Sequence, residues 1–440
     1  SFLGIVVETA LNITFPLLTK TFSISISQVQ WLTTGYMLVS TSLIPFGSFF
    51  LKRFRVIALF RLACLSFLLG TLIASYSDSF SAVLIGRLCQ GIADGIALPL
   101  MFSVILNQVP QKKVGTFMGI GSLVIAFAPA VGPIYGGLIQ ESLDWHFLFI
   151  ILVPFIIITW VIGEFSIRQS QPTQYIAFDI VGGILLMLFL TTTLILIVDL
   201  TANRSSLNFK VLLFVVALFS GISFVLNEKN KTNKLLEIAL FKNKQFIKLL
   251  GAFFLLQYSS LSMSYLIPNV LEMLFKQSPS LVGLLVLPAA VIDALLSVVA
   301  GIIYDKTTPN LPIISGCLIV LLTFLSALLI NPSVPSLVVL YMLFMVGLSL
   351  SYSNIMTFSL SQLPTNLVND GNAIYMTAQS YSGAMGIAVS ASIISFTQKL
   401  QKGVALGTKQ GLELNFFILL LIAVIILILY FVTPKNTLRS

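Results

Sequence analysis

The stretch RLCQGIADGIALPLMFSVILNQVPQKKVGTFMGIGSLVIAFAPAVGPIYGG, running from Arg87 to Gly137, decides the fold. It consists of two apolar runs hinged by a short polar turn that carries Lys112 and Lys113. The first run holds Arg87, Gln90 and Asp94 where a helix facing lipid would hold leucines. Charges inside such a segment are costly and mark function. Asp94 follows Arg87 by seven residues, so both lie on one helical face with backbones about 10.5 Å apart. That is too far for an assured salt bridge but close enough for mutual influence. In the second run Ala128, Gly132 and Gly136 are spaced by four, which leaves one face nearly bare backbone and lets a neighbouring helix approach closely. Pro129 and Pro133 in the same run remove backbone hydrogen bonds and favour a bend.

Composition makes the rest of the chain membrane-embedded as well. Of 440 residues 57% are hydrophobic and 9% charged, against roughly 25% charged in soluble domains. The net charge of +9 would point to nucleic acid if it clustered on a soluble face, but the charges sit in loops between apolar runs, so no nucleic-acid partner is expected. Cys64, Cys89 and Cys317 are odd in number and lie in apolar runs, which reads as small packing residues rather than a disulfide framework. The chain opens at Ser1 already inside an apolar run, so an N-terminal piece is expected to be missing and no signal peptide is indicated.

A spanning helix needs roughly 20 apolar residues. That ruler gives fourteen helices, at about 1–20, 28–50, 55–76, 82–107, 114–138, 145–166, 178–200, 209–227, 246–272, 279–303, 311–330, 335–361, 371–397 and 413–433. An even number leaves both termini on one side. With the N terminus inside, inner loops hold fifteen lysines and arginines, among them Lys52, Arg53, Arg55, Lys112, Lys113 and Lys306, and outer loops hold seven. The excess predicts cytoplasmic termini. Pro16 and Gln28 recur as Pro268 and Ser280 at an offset of 252, an internal repeat that predicts two six-helix halves with a substrate site between them. The expected division is a bundle over 1–168, two inserted helices over 169–228, a charged cytoplasmic linker over 229–245 and a second bundle over 246–440. The inserted helices carry few polar residues and are expected to take no direct part in transport.

RLCQG, with Arg87, Gln90 and Gly91, and GPIYGG, with Gly132, Pro133, Gly136 and Gly137, resemble the fourth-helix and fifth-helix motifs of the fourteen-helix drug:proton antiporters of the major facilitator superfamily, the QacA, EmrB and SdrM type. The resemblance extends to Thr9, Asn12 and Pro16 in the first helix, Trp31 and Tyr36 in the second, Trp145, His146, Phe149 and Pro154 in the sixth, Phe178, Asp179 and Gly182 at the first inserted helix, and the stretch LEIALFKNKQF. It implies an all-α membrane protein with the major facilitator fold that exports drugs in exchange for protons, with the fifth-helix glycines as the antiporter motif. Two departures stand out. The family's first-helix aspartate falls at Val7, with Glu8 one residue later and about 100° around the helix. The family's loop L-A-D-R-F-G-R after the second helix has its aspartate at Lys52 and its glycine at Arg55, which puts the latch formed by that motif in doubt, whereas Asp305 and Lys306 keep the second copy.

Only three acids lie deep inside predicted helices: Glu8, Asp94 and Asp293. A carboxylate at that depth is costly to keep charged, so it exchanges protons, and once ionised it attracts a lipophilic cation that competes for the same site. The plainer reading of each is a carboxylate satisfied by hydroxyls. Glu8 shares a face with Asn12, and Asp293 with Ser297, at i,i+4. Asp94, Arg87 and Glu8 are the candidates for proton coupling. Asp293, Glu8, Asn12, Tyr36, Gln257, Tyr258, Asn354 and Gln379 are the candidates for substrate binding, with Tyr352, Tyr375 and Tyr381 as further cavity-lining aromatics. Tyrosine rings suit flat cations, though membrane aromatics also serve as packing or interfacial anchors. His146 reads as a loop–helix contact rather than a proton relay.

The sequence holds no metal-ligand spacing, P-loop or nucleophile elbow, so neither a nucleotide-driven pump nor an enzyme is expected. No cofactor is expected, protons being the coupling ion. The expected partners are small-molecule drugs, protons and membrane lipids, and the chain is expected to act as a monomer in a bacterial plasma membrane. A proton symporter or metabolite exporter on the same fold, or a non-transporting membrane sensor, is the alternative; the glycine-rich fifth helix favours antiport.

Overall fold

In hydrocarbon there is no water to satisfy backbone N–H and C=O groups, so an apolar chain must close its hydrogen bonds within each segment, which only a helix does. The computed structural model follows that rule. It describes residues 1–440 apart from 25, 30, 170–172, 174–178, 203–205, 230, 232, 233, 402, 403 and 432–440, and it leaves aside the side chains of Asn12, Pro16, Pro129, Pro133 and a few other helical residues. Phe178, Arg204, Lys402, Lys435 and Arg439 therefore lie outside the described residues, as do the side chains of Asn12 and Pro133.

Fourteen long helices are seen among the described residues, eleven of them long and apolar enough by themselves to cross a membrane. They are α1 Phe2–Phe22, α2 Trp31–Arg53, α3 Val56–Ser75, α4 Phe80–Gln108, α5 Val114–Ser142, α6 Phe147–Ser166, α7 Ile180–Ala202, α8 Leu207–Lys229, α9 Lys244–Met273, α10 Pro279–Lys306, α11 Asn310–Leu329, α12 Val334–Ser361, α13 Val368–Leu400 and α14 Val404–Phe431. The apolar ruler finds each of them, and its largest error is the start of α14, where Lys409 reads as loop. Tertiary packing extends the helix there: a methyl at Gly411 would reach 2.6 Å from the Thr397 hydroxyl, and that hydroxyl donates to the Gly407 carbonyl at 2.7 Å.

Helices α1–α6 form one bundle, α9–α14 the other, and α7 with α8 lie at one flank. Each bundle uses the same glycine device. Gly70 of α3 meets Gly86 of α4 backbone to backbone, and Gly316 of α11 meets Gly347 of α12, where a methyl on either would fall 2.6–2.8 Å from the other's carbonyl oxygen. Where lipid is as apolar as leucine, such close packing supplies the association energy. The helix α7 packs against both bundles: Leu186 and Leu190 cluster with Phe46 and Phe49 of α2, and the Tyr381 hydroxyl of α13 donates to the Leu190 carbonyl.

The bundles meet along two seams, α2 and α4 against α13 and α5 against α10, and their cross-bundle hydrogen bonds gather at the end that carries Lys112 and Lys113. Asp305 of α10 accepts from the backbone N–H of Gly115 at 2.8 Å and of Thr116 at 2.7 Å, and from the Thr116 hydroxyl at 2.6 Å. Ser297 donates to the Gly119 carbonyl at 3.1 Å. On the other seam Lys52 and Ser48 both reach Asp370, at 2.6 and 2.5 Å, Ser103 donates to Asn369 at 2.7 Å, and Asn372 to the Pro99 carbonyl at 2.9 Å. The structure is closed at this basic end.

Candidate transport sites at the helix midpoints

Arg87 lies in the middle of the N-terminal bundle and is fully buried. Its Nε donates to the Leu32 carbonyl at 3.1 Å and its Nη1 to Gln90 Oε1 at 2.6 Å, while Gln90 donates to the Thr71 hydroxyl at 2.9 Å. The guanidinium carbon sits 4.1 Å over the Tyr36 ring, a cation–π contact in a desolvated setting. One arginine thus ties α2, α3 and α4 together. Two turns along α4, the Asp94 carboxylate accepts from Ser40 of α2 at 2.9 Å rather than pairing directly with Arg87. The remaining oxygen of Asp94, the Tyr36 hydroxyl and Arg87 Nη2 are buried without a partner among the described groups. Tyr36 and Asp94 both point at Gly4 of α1, where a methyl would come 2.6 Å from the hydroxyl and 3.6 Å from the carboxylate. Glu8, one turn further along α1, lies within the electrostatic field of both Arg87 and Asp94. The site therefore gathers two acids, one guanidinium and a phenol from three helices.

Asp293 of α10 is the matching acid of the C-terminal bundle. Its Oδ1 accepts from the buried Ser349 of α12 at 2.6 Å. Ser297, its expected neighbour on the same helix, turns instead to the Ala294 and Gly119 carbonyls. Tyr341 and Tyr352 of α12 both lie in the field of Asp293. The Tyr352 ring stacks on Phe253 at 4.4 Å and 16°, and Phe253 meets Tyr375 edge-on at 4.9 Å. An aromatic wall thus runs from the acid across α12, α9 and α13. Among the described residues no cationic side chain acts on this carboxylate.

The fifth-helix glycines divide their work by depth. Gly132 and Gly136 lie on α1, where a methyl would overlap the Thr9 side chain or come 2.8 Å from the Ala10 carbonyl. Gly137 has open space around it. Gly115 and Gly119, at the basic end of the same helix, face α10 of the other bundle. Helix α5 thus joins α1, which carries Glu8, to α10, which carries Asp293. Residues 1–387 match the Major Facilitator Superfamily. The chain is 34% identical to Listeria innocua "Lincomycin resistance protein LmrB" over 409 residues, covering 92% of this chain and 87% of that protein. The chain belongs to the major facilitator superfamily. It is a multi-pass membrane transporter, not an enzyme. It is also 27% identical to the Haemophilus influenzae "Multidrug export protein EmrB" over 403 residues, 89% of this chain and 78% of that protein. At the level of fold it resembles the superfamily's proton:xylose symporter XylE, with a TM-score of 0.65, 14% identity, and 98% and 94% of the two chains covered.

The other sequence candidates are dispersed within this major facilitator fold. Tyr258 is buried in α9 beside half-buried Gln257, and Gln379 is half-buried on α13. Asn354 spends its amide on the Ala300 carbonyl of α10, at 3.2 Å, and on Leu350. Tyr381 bonds to α7, and His146 stacks on Trp145 at 3.8 Å and pairs with Asp144. A cavity of about 80 Å³ beside Leu337, Leu412 and Glu413 lies at the end opposite the basic turns, away from all three acids. Sequence reasoning missed Ser40, Ser349, Thr71 and Tyr341. Nothing in the sequence separates these hydroxyls from the many that bond their own helix.

Proposed function

We propose that this transporter exports lipophilic, mainly cationic or zwitterionic drugs, dyes and biocides in exchange for protons, by alternating access, from a bacterial plasma membrane with both termini in the cytoplasm. The observation that carries the reading is the pair of midhelix acid sites in opposite bundles, one balanced by an arginine and one left without a cation. In the first, Glu8 and Asp94 oppose Arg87, so with both acids ionised one negative charge is in excess, and a single proton neutralises the cluster. Asp94, Arg87 and Glu8 are the proton-coupling groups in this reading. In the second, an ionised Asp293 attracts a cation, and Tyr352 and Tyr341 offer it ring faces. Glu8, Asn12, Tyr36, Gln257, Tyr258, Asn354 and Gln379 complete the proposed substrate-facing set.

The basic turns, taken as cytoplasmic, make the closed end the inner one. An inward proton and an outward monovalent cation then exchange through alternate opening with no net charge moved, so the pH gradient drives that exchange, whereas a zwitterion exchanged for one proton also draws about 2.3 kcal/mol per 100 mV from the membrane potential. Lincomycin resistance in the name of one relative and multidrug export in that of another support drugs as the substrates. The deciding experiment uses purified protein in liposomes with an imposed pH gradient and a panel of lipophilic cations. Drug flux accompanied by drug-induced proton release is expected. Folded, correctly oriented protein that moves neither would refute the proposal.

A further inference from the structure

The two seams that close the basic end are built on equivalent positions. Lys52 and Asp305 are each the next-to-last residue of their helices, α2 and α10. Thr116 and Asp370 are each the third residue of theirs, α5 and α13. In one seam the acid crosses between bundles: Asp305 reaches the first turn of α5 and accepts from two backbone N–H groups and the Thr116 hydroxyl. A carboxylate at a helix start is stabilised by the unpaired N–H groups and the dipole there. In the other seam the acid is already in the first turn of α13, as Asp370, and a cation crosses to meet it, Lys52 at 2.6 Å with Ser48 at 2.5 Å. The Asp370 side chain is fully buried, whereas that of Lys52 is 25% exposed.

We infer that Lys52 and Asp370 form a charge-inverted latch that positions the two bundles in the state closed at the basic end. An aspartate at position 52 would confront the carboxylate of Asp370 in a site where that carboxylate has no access to water. Glu237, on the segment between the bundles, also lies in the field of Lys52 and would add to the repulsion. Lys52 is thus the partner that Asp370 requires rather than a lost aspartate, and each residue makes sense only with the other. The inference rests on the alternating-access reading for its role in transport, but the contact itself does not.

The test is a charge exchange read by distance, independent of substrate and protons. Spin labels at Lys112→Cys and Gln362→Cys, both exposed at the basic end on opposite bundles, are placed in full-length protein whose three native cysteines are replaced. The unaltered pair should show one dominant short distance. Lys52→Asp and Asp370→Lys, each alone, should raise the long-distance population about tenfold or more, because a buried charge loses its partner. The double exchange, Lys52→Asp with Asp370→Lys, should return it to within about twofold of the original. If Lys52→Asp fails to fold, Lys52→Gln carries the same expectation. Single variants that keep the short distance, or a double exchange no better than either single, would overturn the latch. Distance recovery in a protein that transports no drug would count against the transport reading and leave the latch standing.

Discussion

In the N-terminal bundle Ser40 of α2 donates to Asp94 of α4, at 2.9 Å, and in the C-terminal bundle Ser349 of α12 donates to Asp293 of α10, at 2.6 Å. Helices α2 and α10 hold equivalent places in the two halves, as do α4 and α12, so one hydrogen bond appears twice with donor and acceptor exchanged between helices. The surroundings differ. Asp94 shares its site with Arg87, Glu8 and the Tyr36 phenol, whereas Asp293 has a hydroxyl and two tyrosines in reach and no described cation. A carboxylate beside a fixed cation changes the balance of its cluster when it takes a proton, while one without a cation keeps its charge available for a substrate. The pairing with serine orients the acid in both bundles. In the proposed reading, the arginine is what separates the proton-coupling acid from the substrate-binding one.

Several substitutions can break or sharpen that contrast. The largest effect is expected at Arg87. Replacing it by alanine removes the guanidinium that faces Glu8 and Asp94 along with the contacts to Leu32, Gln90 and Tyr36, and drug flux in proteoliposomes should fall at least about a hundredfold, since removing one partner of a buried charge set costs roughly 3–5 kcal/mol. Arg87→Lys should not restore it, because an ammonium cannot make the forked contacts and lie over the ring together. Normal flux in either variant, in protein that elutes as a folded species, would reduce the arginine to a packing group.

Asp94→Asn should lower transport of every substrate to a similar degree and remove drug-induced proton release, measured with a pH-sensitive dye inside the vesicles. Asp293→Asn should be selective, with cations reduced about tenfold, the size of a modest interaction of roughly 1.4 kcal/mol, dications more, and neutral substrates nearly unchanged. Equal losses across the same substrates in both variants would erase the proposed division of labour. The smallest effect is expected for the orienting hydroxyls. Ser40→Ala and Ser349→Ala each remove one interhelical hydrogen bond, worth about 0.6 kcal/mol on average in a membrane protein, so a roughly threefold change in rate should appear. It should touch all substrates for Ser40 and chiefly cations for Ser349. The same pattern in both serine variants would mean that the two acid sites do not act separately.

The inserted helix α7 extends the comparison to the flanks. Its few polar residues lead to the expectation that it takes no direct part in transport; in the fold it lies on α2 of one bundle and α13 of the other, and Tyr381 bonds its backbone. The seam between α5 and α10 is instead a backbone contact of Gly115 and Gly119 with Gly301 and Ser297.

The sequence alone determined the number and order of the helices, the two-bundle repeat, the membrane setting and the three acids deep within helices. These follow from the length of apolar runs and the cost of charge in lipid, which act along the chain and need no neighbour. It also marked Arg87 and the fifth-helix glycines, because residues so out of keeping with a lipid-facing helix stand out individually. Tertiary structure decided the partners. That Asp94 meets Ser40 and Asp293 meets Ser349 depends on the rotation and depth of one helix against another, and a serine that orients an acid looks the same in sequence as one bonded to its own helix. Lys52 shows the limit most plainly: read along the chain it is an aspartate gone missing, and only the fold brings it within 2.6 Å of Asp370, 318 residues away, where a positive charge is what the buried carboxylate needs.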